Sequence, residues 1–522
     1  MTAFRQGTPP GIGFDRFFSY PATRLADKVA AIDDAGEVSF AALNRRADRL
    51  AHGLVAAGGR AGDRVALILP NGIPFLVIEI AIMRAGMVKV PLNIRFHADE
   101  VMYALADCQP SLVLARPDYA ERIAAQGQVI PSLKKVFAVG GTAPSCRSYE
   151  QVVETGDATP FAAVAYGDDD PILIRYTGGT TGRPKGIVHT HRSYIAIVLD
   201  VIRENALVEA DIALQLGHLS HGLNYMWPAY AAVGATQVLR EKFDPPAVWR
   251  DLARHRITWV YMVPTMIHML LDADDGVADV SSLRTFNYAS APMPVPLLRR
   301  AIKRFGPIFT QVYTLSEAPV ITTMLHPHEH VEEACEFGPR LGSIGREIAT
   351  MELRLIDDVG RDVAPGEAGE IAVRSVNNMA YYWKRPEETA KTLVDGWLRT
   401  GDMARRARDG FLYMVDRKKD IIITGALNVW PKEVEAAIER HPAVAQVAVV
   451  GAPDEKWGER IVAYVVLRPG MTAGAEELIQ LCLDHLADYK KPREVHFIDK
   501  MPTTPVGKVS RLALRQRARG AG

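Results

Sequence analysis

The stretch Tyr176-Thr177-Gly178-Gly179-Thr180-Thr181-Gly182-Arg183-Pro184-Lys185-Gly186 constrains this chain more than any other. It follows the apolar run Pro171-Ile172-Leu173-Ile174, which reads as a buried strand. A strand emptying into glycines, hydroxyls and one lysine can aim backbone N–H groups and an ammonium at an anion, and a nucleotide phosphate is the obvious one. A Walker A loop is excluded, because that motif needs Gly-Lys-Ser/Thr opening a helix. Here Pro184 precedes Lys185 and Gly186 follows it, so no helix is expected to start at the lysine.

At 522 residues the chain exceeds one ordinary core, and two or more domains are expected. A hydrophobic fraction of 48% with 23% charged residues belongs to the globular class. Lysine plus arginine and aspartate plus glutamate are both 61, so no global field points to nucleic acid or an anionic membrane. Cys108, Cys146, Cys335 and Cys482 lie far apart and form no CxxC pair, which suits a reducing compartment. Residues 1–7 lack the apolar core of a signal peptide, and residues 519–522 carry no targeting signal. The apolar stretch from Phe75 to Met83 is broken by Glu79. A cytoplasmic protein without membrane insertion is expected.

Residues 25–120 alternate helical and extended patterns: a helix over 41–57, a strand over 64–69, a helix over 75–85, an extended piece from 88. The rhythm returns after the glycine loop with a strand over 259–263 and a helix over 296–305. Such alternation predicts a layered α/β body with parallel strands. From about 340 the segments 351–356 and 369–373 suggest a β-rich subdomain. Past the charged run Asp416-Arg417-Lys418-Lys419 the pattern is compact α/β again. The expected division is a large domain over 1–415 and a small mobile domain over 416–522.

Several motifs in one order resemble the adenylate-forming superfamily of acyl-CoA synthetases, luciferases and peptide-synthetase adenylation domains, over about residues 15–515. The glycine loop resembles that family's phosphate loop, with Gly178 standing where serine is usual. Tyr313-Thr314-Leu315-Ser316-Glu317 resembles its Tyr-Gly-x-Thr-Glu. Leu398-Arg399-Thr400-Gly401-Asp402 resembles the ribose-binding segment. Asp416-Arg417 through Gly425 resembles the hinge motif, and Pro502-Thr503-Thr504-Pro505-Val506-Gly507-Lys508 the loop carrying the catalytic lysine.

The resemblance implies ATP, magnesium and coenzyme A as the small molecules handled. Lys508 would bridge the carboxylate and the α-phosphate, two anions that must approach each other. Lys185, Thr177, Gly178, Gly179, Thr180, Thr181 and Gly182 would hold the outer phosphates. Glu317, with Thr180, would hold magnesium, a hard cation that prefers oxygen ligands. Tyr313, Thr314, Ser316, Ser290, Ala291, Pro292, Asp402 and Arg417 would line the nucleotide, Asp402 accepting from the ribose hydroxyls. Asp416 would be the hinge, and Gly425 would line the path of the coenzyme A arm after the small domain turns.

His221 matches the position beside the reacting carboxylate, where a general base and an orienting imidazole both remain open. Asn224, Tyr225, Tyr288, Ala289 and Thr314 are the other candidate acid-binding residues. Ala289 and Thr314 replace glycines that usually keep the acyl pocket open, so a short-chain or aryl carboxylate is expected. No aspartate suited to an amino-acid ammonium occurs over 222–227. The chain ends soon after Lys508, so the acceptor is expected to be free: coenzyme A, or the pantetheine arm of a separate carrier protein. The oligomeric state is left open, a dimer being compatible with the sequence. A reading outside this class, a P-loop-like ATPase or nucleotide-binding protein, rests on the glycine loop alone. The segment His326-Pro327-His328-Glu329-His330 is read as a polar loop rather than a metal site.

Overall fold

A computed structural model of the protein describes residues 13–177, 184–424, 427–454, 457–504 and 509–520. Two large sheets dominate. The first has eight strands, with Pro171–Thr177 beside Val88–Pro91, Arg64–Ile68, Leu112–Ala115 and Lys135–Ala138, all parallel. Lys185–Thr190 and Tyr381–Tyr382 close one side of it antiparallel. The second has nine strands. Its parallel centre runs Phe309–Tyr313, Thr285–Ala289, Trp259–Met262, Ile212–Gln215, Thr236–Leu239.

The helices Phe40–Ala56, Ile73–Arg84, His191–Glu204 and Trp227–Val233 share one apolar core with strands of both sheets. Ile73–Arg84 is buried along nearly its whole length, including Glu79, and a helix apolar all round belongs between layers. Its burial of Glu79 is offset by Lys89 Nζ at 3.0 Å, Asn224 Nδ2 at 2.6 Å and Trp227 Nε1 at 2.7 Å. A buried charge is tolerated only when paired and hydrogen-bonded in this way.

The β-rich subdomain is a five-stranded antiparallel sheet built on Glu352–Ile356, Gly369–Arg374, Trp397–Arg406 and Leu412–Arg417. The chain leaves this sheet at Arg417 and enters the small domain's sheet at Ile422–Thr424. That sheet contains the long hairpin Val444–Asp454 and Gly458–Leu467, with Glu494–Phe497 parallel beside it. The helices Pro431–Ile438 and Ala475–His485 pack on one face, and Arg511–Gly520 on the other. Among the described residues no helix is long and apolar enough to cross a membrane.

The expected elements are present with ends displaced by at most two residues, as 3.6- and two-residue periodicities allow. The sequence reading missed the strand Lys185–Thr190. It pairs antiparallel with Pro171–Thr177, Thr177 opposite Lys185, so a strand and not a helix begins at Lys185.

Candidate active site

The candidate residues collect at the C-terminal ends of parallel strands, where open α/β sheets bind ligands. Thr177 ends one strand, Ala289 a second and Tyr313 a third. Ser290 follows directly, at φ 71°, and its hydroxyl lies 2.7 Å from Tyr261 Oη. A non-glycine residue in the left-handed region is uncommon and concentrates at ligand sites. Ala291 and Pro292 are exposed beyond it.

Three sheets meet here through side chains. Tyr382, on the edge strand of the first sheet, donates to Glu317 Oε1 at 2.8 Å. His189, on the first sheet, donates from Nε2 to the Ser316 carbonyl at 3.1 Å. Tyr313, on the second sheet, donates to Asp402 Oδ2 of the β-rich sheet at 2.8 Å. Burial holds His189 near pKa 3, so its ring is neutral and serves as a fixed donor. Burial and the neighbouring Glu317 carboxylate both push the Tyr382 phenol up, so it stays protonated and able to donate.

A cavity of about 370 Å³ opens between these sheets, lined by Glu317, Tyr382, Glu370, Arg399, Gly401 and Lys418 among others. Glu370 organises its floor: it accepts from Arg399 at 2.9 Å, Lys418 at 3.2 Å and the Gly401 N–H at 3.0 Å. Gly401 takes φ 72°, a turn suited to glycine, and delivers Asp402 to the same end of the sheet. Asp416 accepts from the Lys432 backbone N–H at 3.0 Å, tying the end of the β-rich sheet to the first turn of the helix Pro431–Ile438.

Lys185 pairs with Glu388, and its ammonium lies 5.3 Å from the Tyr382 ring centroid. Thr314 is not an empty replacement for glycine: its hydroxyl accepts from the Val320 N–H at 2.8 Å, and Val320 sits at φ 73°. His221 faces Arg175, whose Nη2 is 2.8 Å from His221 Nδ1. Tyr225 is fully buried, with the Arg175 guanidinium 5.1 Å from its ring centroid.

Two expectations are corrected. Tyr288 packs in the core cluster on the opposite side of the second sheet from Ala289, its hydroxyl 3.0 Å from His330 Nε2. Strand alternation forces this, since neighbouring residues point to opposite faces. Tyr288 is therefore a packing residue. Asn224 has its amide committed to Glu79 and its carbonyl oxygens to Tyr194, so it braces the loop rather than facing an acid. Gly178, Gly179, Thr180, Thr181, Gly182, Gly425 and Lys508, and the side chain of Arg417, lie outside the described residues. The residues that sequence reading missed are Arg175, His189, Glu370 and Tyr382, none of which carried a motif, and Lys418, which lay within the hinge motif without a role of its own.

A layered α/β body with a small α/β domain at its C-terminal end, and a site at converging strand ends, is the architecture of adenylate-forming enzymes. A solved anthranilate CoA ligase, AuaEII in complex with anthranoyl-AMP, superposes with a TM-score of 0.88 at 26% identity, covering 98% of each chain. The family model for AMP-binding enzymes matches residues 18–383, and that for the AMP-binding enzyme C-terminal domain matches 433–508. A feruloyl-CoA synthase of an Amycolatopsis species is 37% identical over 498 residues, 95% of this chain and 97% of that protein. The medium/long-chain-fatty-acid–CoA ligase FadD8 of Mycobacterium tuberculosis is 36% identical over 483 residues, 90% of this chain and 83% of that one. The chain belongs to the AMP-binding enzyme family.

Proposed function

We propose that this protein is an ATP-dependent carboxylic acid–CoA ligase that forms an acyl-adenylate, then a thioester, releasing pyrophosphate and AMP. The observation that carries this reading is a cavity lined by Glu317 and Gly401, with Asp402, the residue after Gly401, held by Tyr313 at 2.8 Å, in a chain whose relatives carry CoA-ligase names.

Asp402 would accept from the ribose hydroxyls, with Tyr313 holding its carboxylate in place. Ser290, Ala291 and Pro292 would border the base. Thr177 and Lys185, with the loop between them, would take the outer phosphates, for which Lys185 must exchange Glu388 for phosphate. Lys508 would stabilise the charge that builds between carboxylate and α-phosphate. Among the described residues no three His, Cys, Asp or Glu side chains gather as a metal site. A cation would rest on Glu317 and Thr180 with water and phosphate oxygens, a set that fits magnesium and its reluctance to shed water. Bound there, magnesium would neutralise phosphate charge.

We place the domain boundary at Asp416. Turning about it would exchange Lys508 for the Gly425 segment and admit coenzyme A. Ala289 and Thr314 favour a short-chain or aryl acid over a long fatty acid. The four free cysteines fit work in a reducing compartment, the cytoplasm.

The test is ATP–pyrophosphate exchange across a panel of carboxylic acids, followed by thioester formation with coenzyme A or a phosphopantetheinylated carrier. Exchange that depends on a carboxylate, with a coenzyme A thioester as product, is expected. Orthophosphate release independent of any acid would overturn the reading in favour of an ordinary ATPase.

A further inference from the structure

Among the described residues three cationic side chains are buried: Arg84, Lys89 and Arg175, at 2%, 0% and 4% exposure. Arg84 has Asp15 at 2.7 Å and Asp48 at 2.6 Å, and Lys89 has Glu79 at 3.0 Å. Arg175 has no carboxylate partner among the described residues. Its contacts are the imidazole of His221 at 2.8 Å and the face of Tyr225. Among the described residues its buried Nε has no hydrogen-bond partner.

A guanidinium stays charged at any working pH. Removing it from water without a counter-charge is costly, and the cost is relieved when an anion arrives beside it. The position of Arg175 says which anion. It lies two residues before Thr177 on the strand Pro171–Thr177, so both side chains point to the same face. The cation therefore sits between His221 and the mouth of the glycine loop, where, on the ligase reading, acid and phosphate must meet. Arg175 Nη2 lies 2.8 Å from Nδ1 and 3.3 Å from Nε2 of the His221 ring, so the imidazole accepts from the arginine and holds its guanidinium in place.

We propose that Arg175, backed by Tyr225 and His221, is the receptor for the reacting carboxylate of the acid. This rests on the ligase reading. It makes Arg175 a substrate-binding residue and His221 the imidazole that positions its guanidinium.

The test compares wild type with Arg175→Gln, Arg175→Lys and Tyr225→Phe, using the acids that support pyrophosphate exchange in wild type. If no acid supports exchange, the ligase reading fails before Arg175 is examined. Given exchange, Arg175→Gln is expected to raise KM for every acid by about tenfold or more, while KM for ATP stays within about twofold. Arg175→Lys is expected to fall between, keeping the charge but losing the planar fork. Inhibition by the primary amide of the same acid, which lacks the negative charge, should change little. The proposal is overturned if KM for the acid is unchanged, if KM for ATP rises as much, or if the loss is confined to acids bearing a second anionic group. Should Arg175→Gln fail to fold, a normal acid KM in both Arg175→Lys and Tyr225→Phe overturns it equally.

Discussion

The phenol of Tyr313 donates to Asp402 at 2.8 Å across 89 residues of sequence, joining the second large sheet to the β-rich sheet. The two residues come from separate motifs, yet one hydrogen bond brings them together in the site proposed for the nucleotide. Replacing Asp402 with asparagine removes the charge that would accept from two ribose hydroxyls. Charge-assisted bonds of this kind contribute about 1.5–3 kcal/mol each, so KM for ATP should rise by about tenfold or more. Tyr313→Phe keeps the carboxylate and should cost less. Steady-state kinetics with ATP varied decides it, and an unchanged KM in Asp402→Asn would refute the ribose role.

Lys508→Ala should abolish pyrophosphate exchange, because the positive charge between carboxylate and α-phosphate is lost. Thioester formation from supplied acyl-adenylate should survive, since on the proposed reading the Gly425 segment has by then taken the place of Lys508. Equal loss of both half-reactions in stopped assays would count against domain alternation.

Thr314→Gly removes the acceptor that holds the Val320 N–H. About 1 kcal/mol of stability should be lost, read as a lower Tm. With the side chain gone, longer acids should gain relative to short or aryl ones in the exchange assay. A substrate profile that does not move would show that Thr314 does not bound the acyl pocket.

Glu79→Gln leaves the Lys89 ammonium buried without its carboxylate. Breaking a buried pair from one side costs about 3–5 kcal/mol, which denaturant unfolding would reveal. The double replacement of Glu79 and Lys89 by apolar residues of similar volume should recover much of that loss. A Glu79→Gln protein as stable as wild type would refute the pairing.

Burial holds His189 and His191 near pKa 3, and burial, with Arg95 also contributing for His218, holds His218 and His330 near 4, against an ordinary 6.5. The folded values lie below the unfolded one, so between about pH 6.5 and 3 the unfolded chain binds more protons. Stability is full above pH 6.5 and falls as pH drops through that window, each fully buried histidine contributing about 1.4 kcal/mol per unit. Thermal unfolding at stepped pH should show Tm declining below about pH 6.5, and replacing His189 by glutamine should flatten the slope.

What the sequence determined by itself is whatever depends on contiguous residues. Apolar periodicity located the helices and strands, Pro184 and Gly186 ruled out a helix at Lys185, and short motifs singled out Glu317, Asp402 and Lys508 as candidates. Tertiary structure decided everything that depends on which side chains face each other across sheets. Tyr382 reaches Glu317 over 65 residues, His189 reaches Ser316 over 127, and Arg175 meets His221 over 46. The same packing turned Tyr288 into the core and committed Asn224 to Glu79. Local patterns are set by backbone period and are legible in one dimension. Partner choice is set by how the layers stack, so a buried arginine with no carboxylate partner among the described residues becomes visible only once the chain is folded.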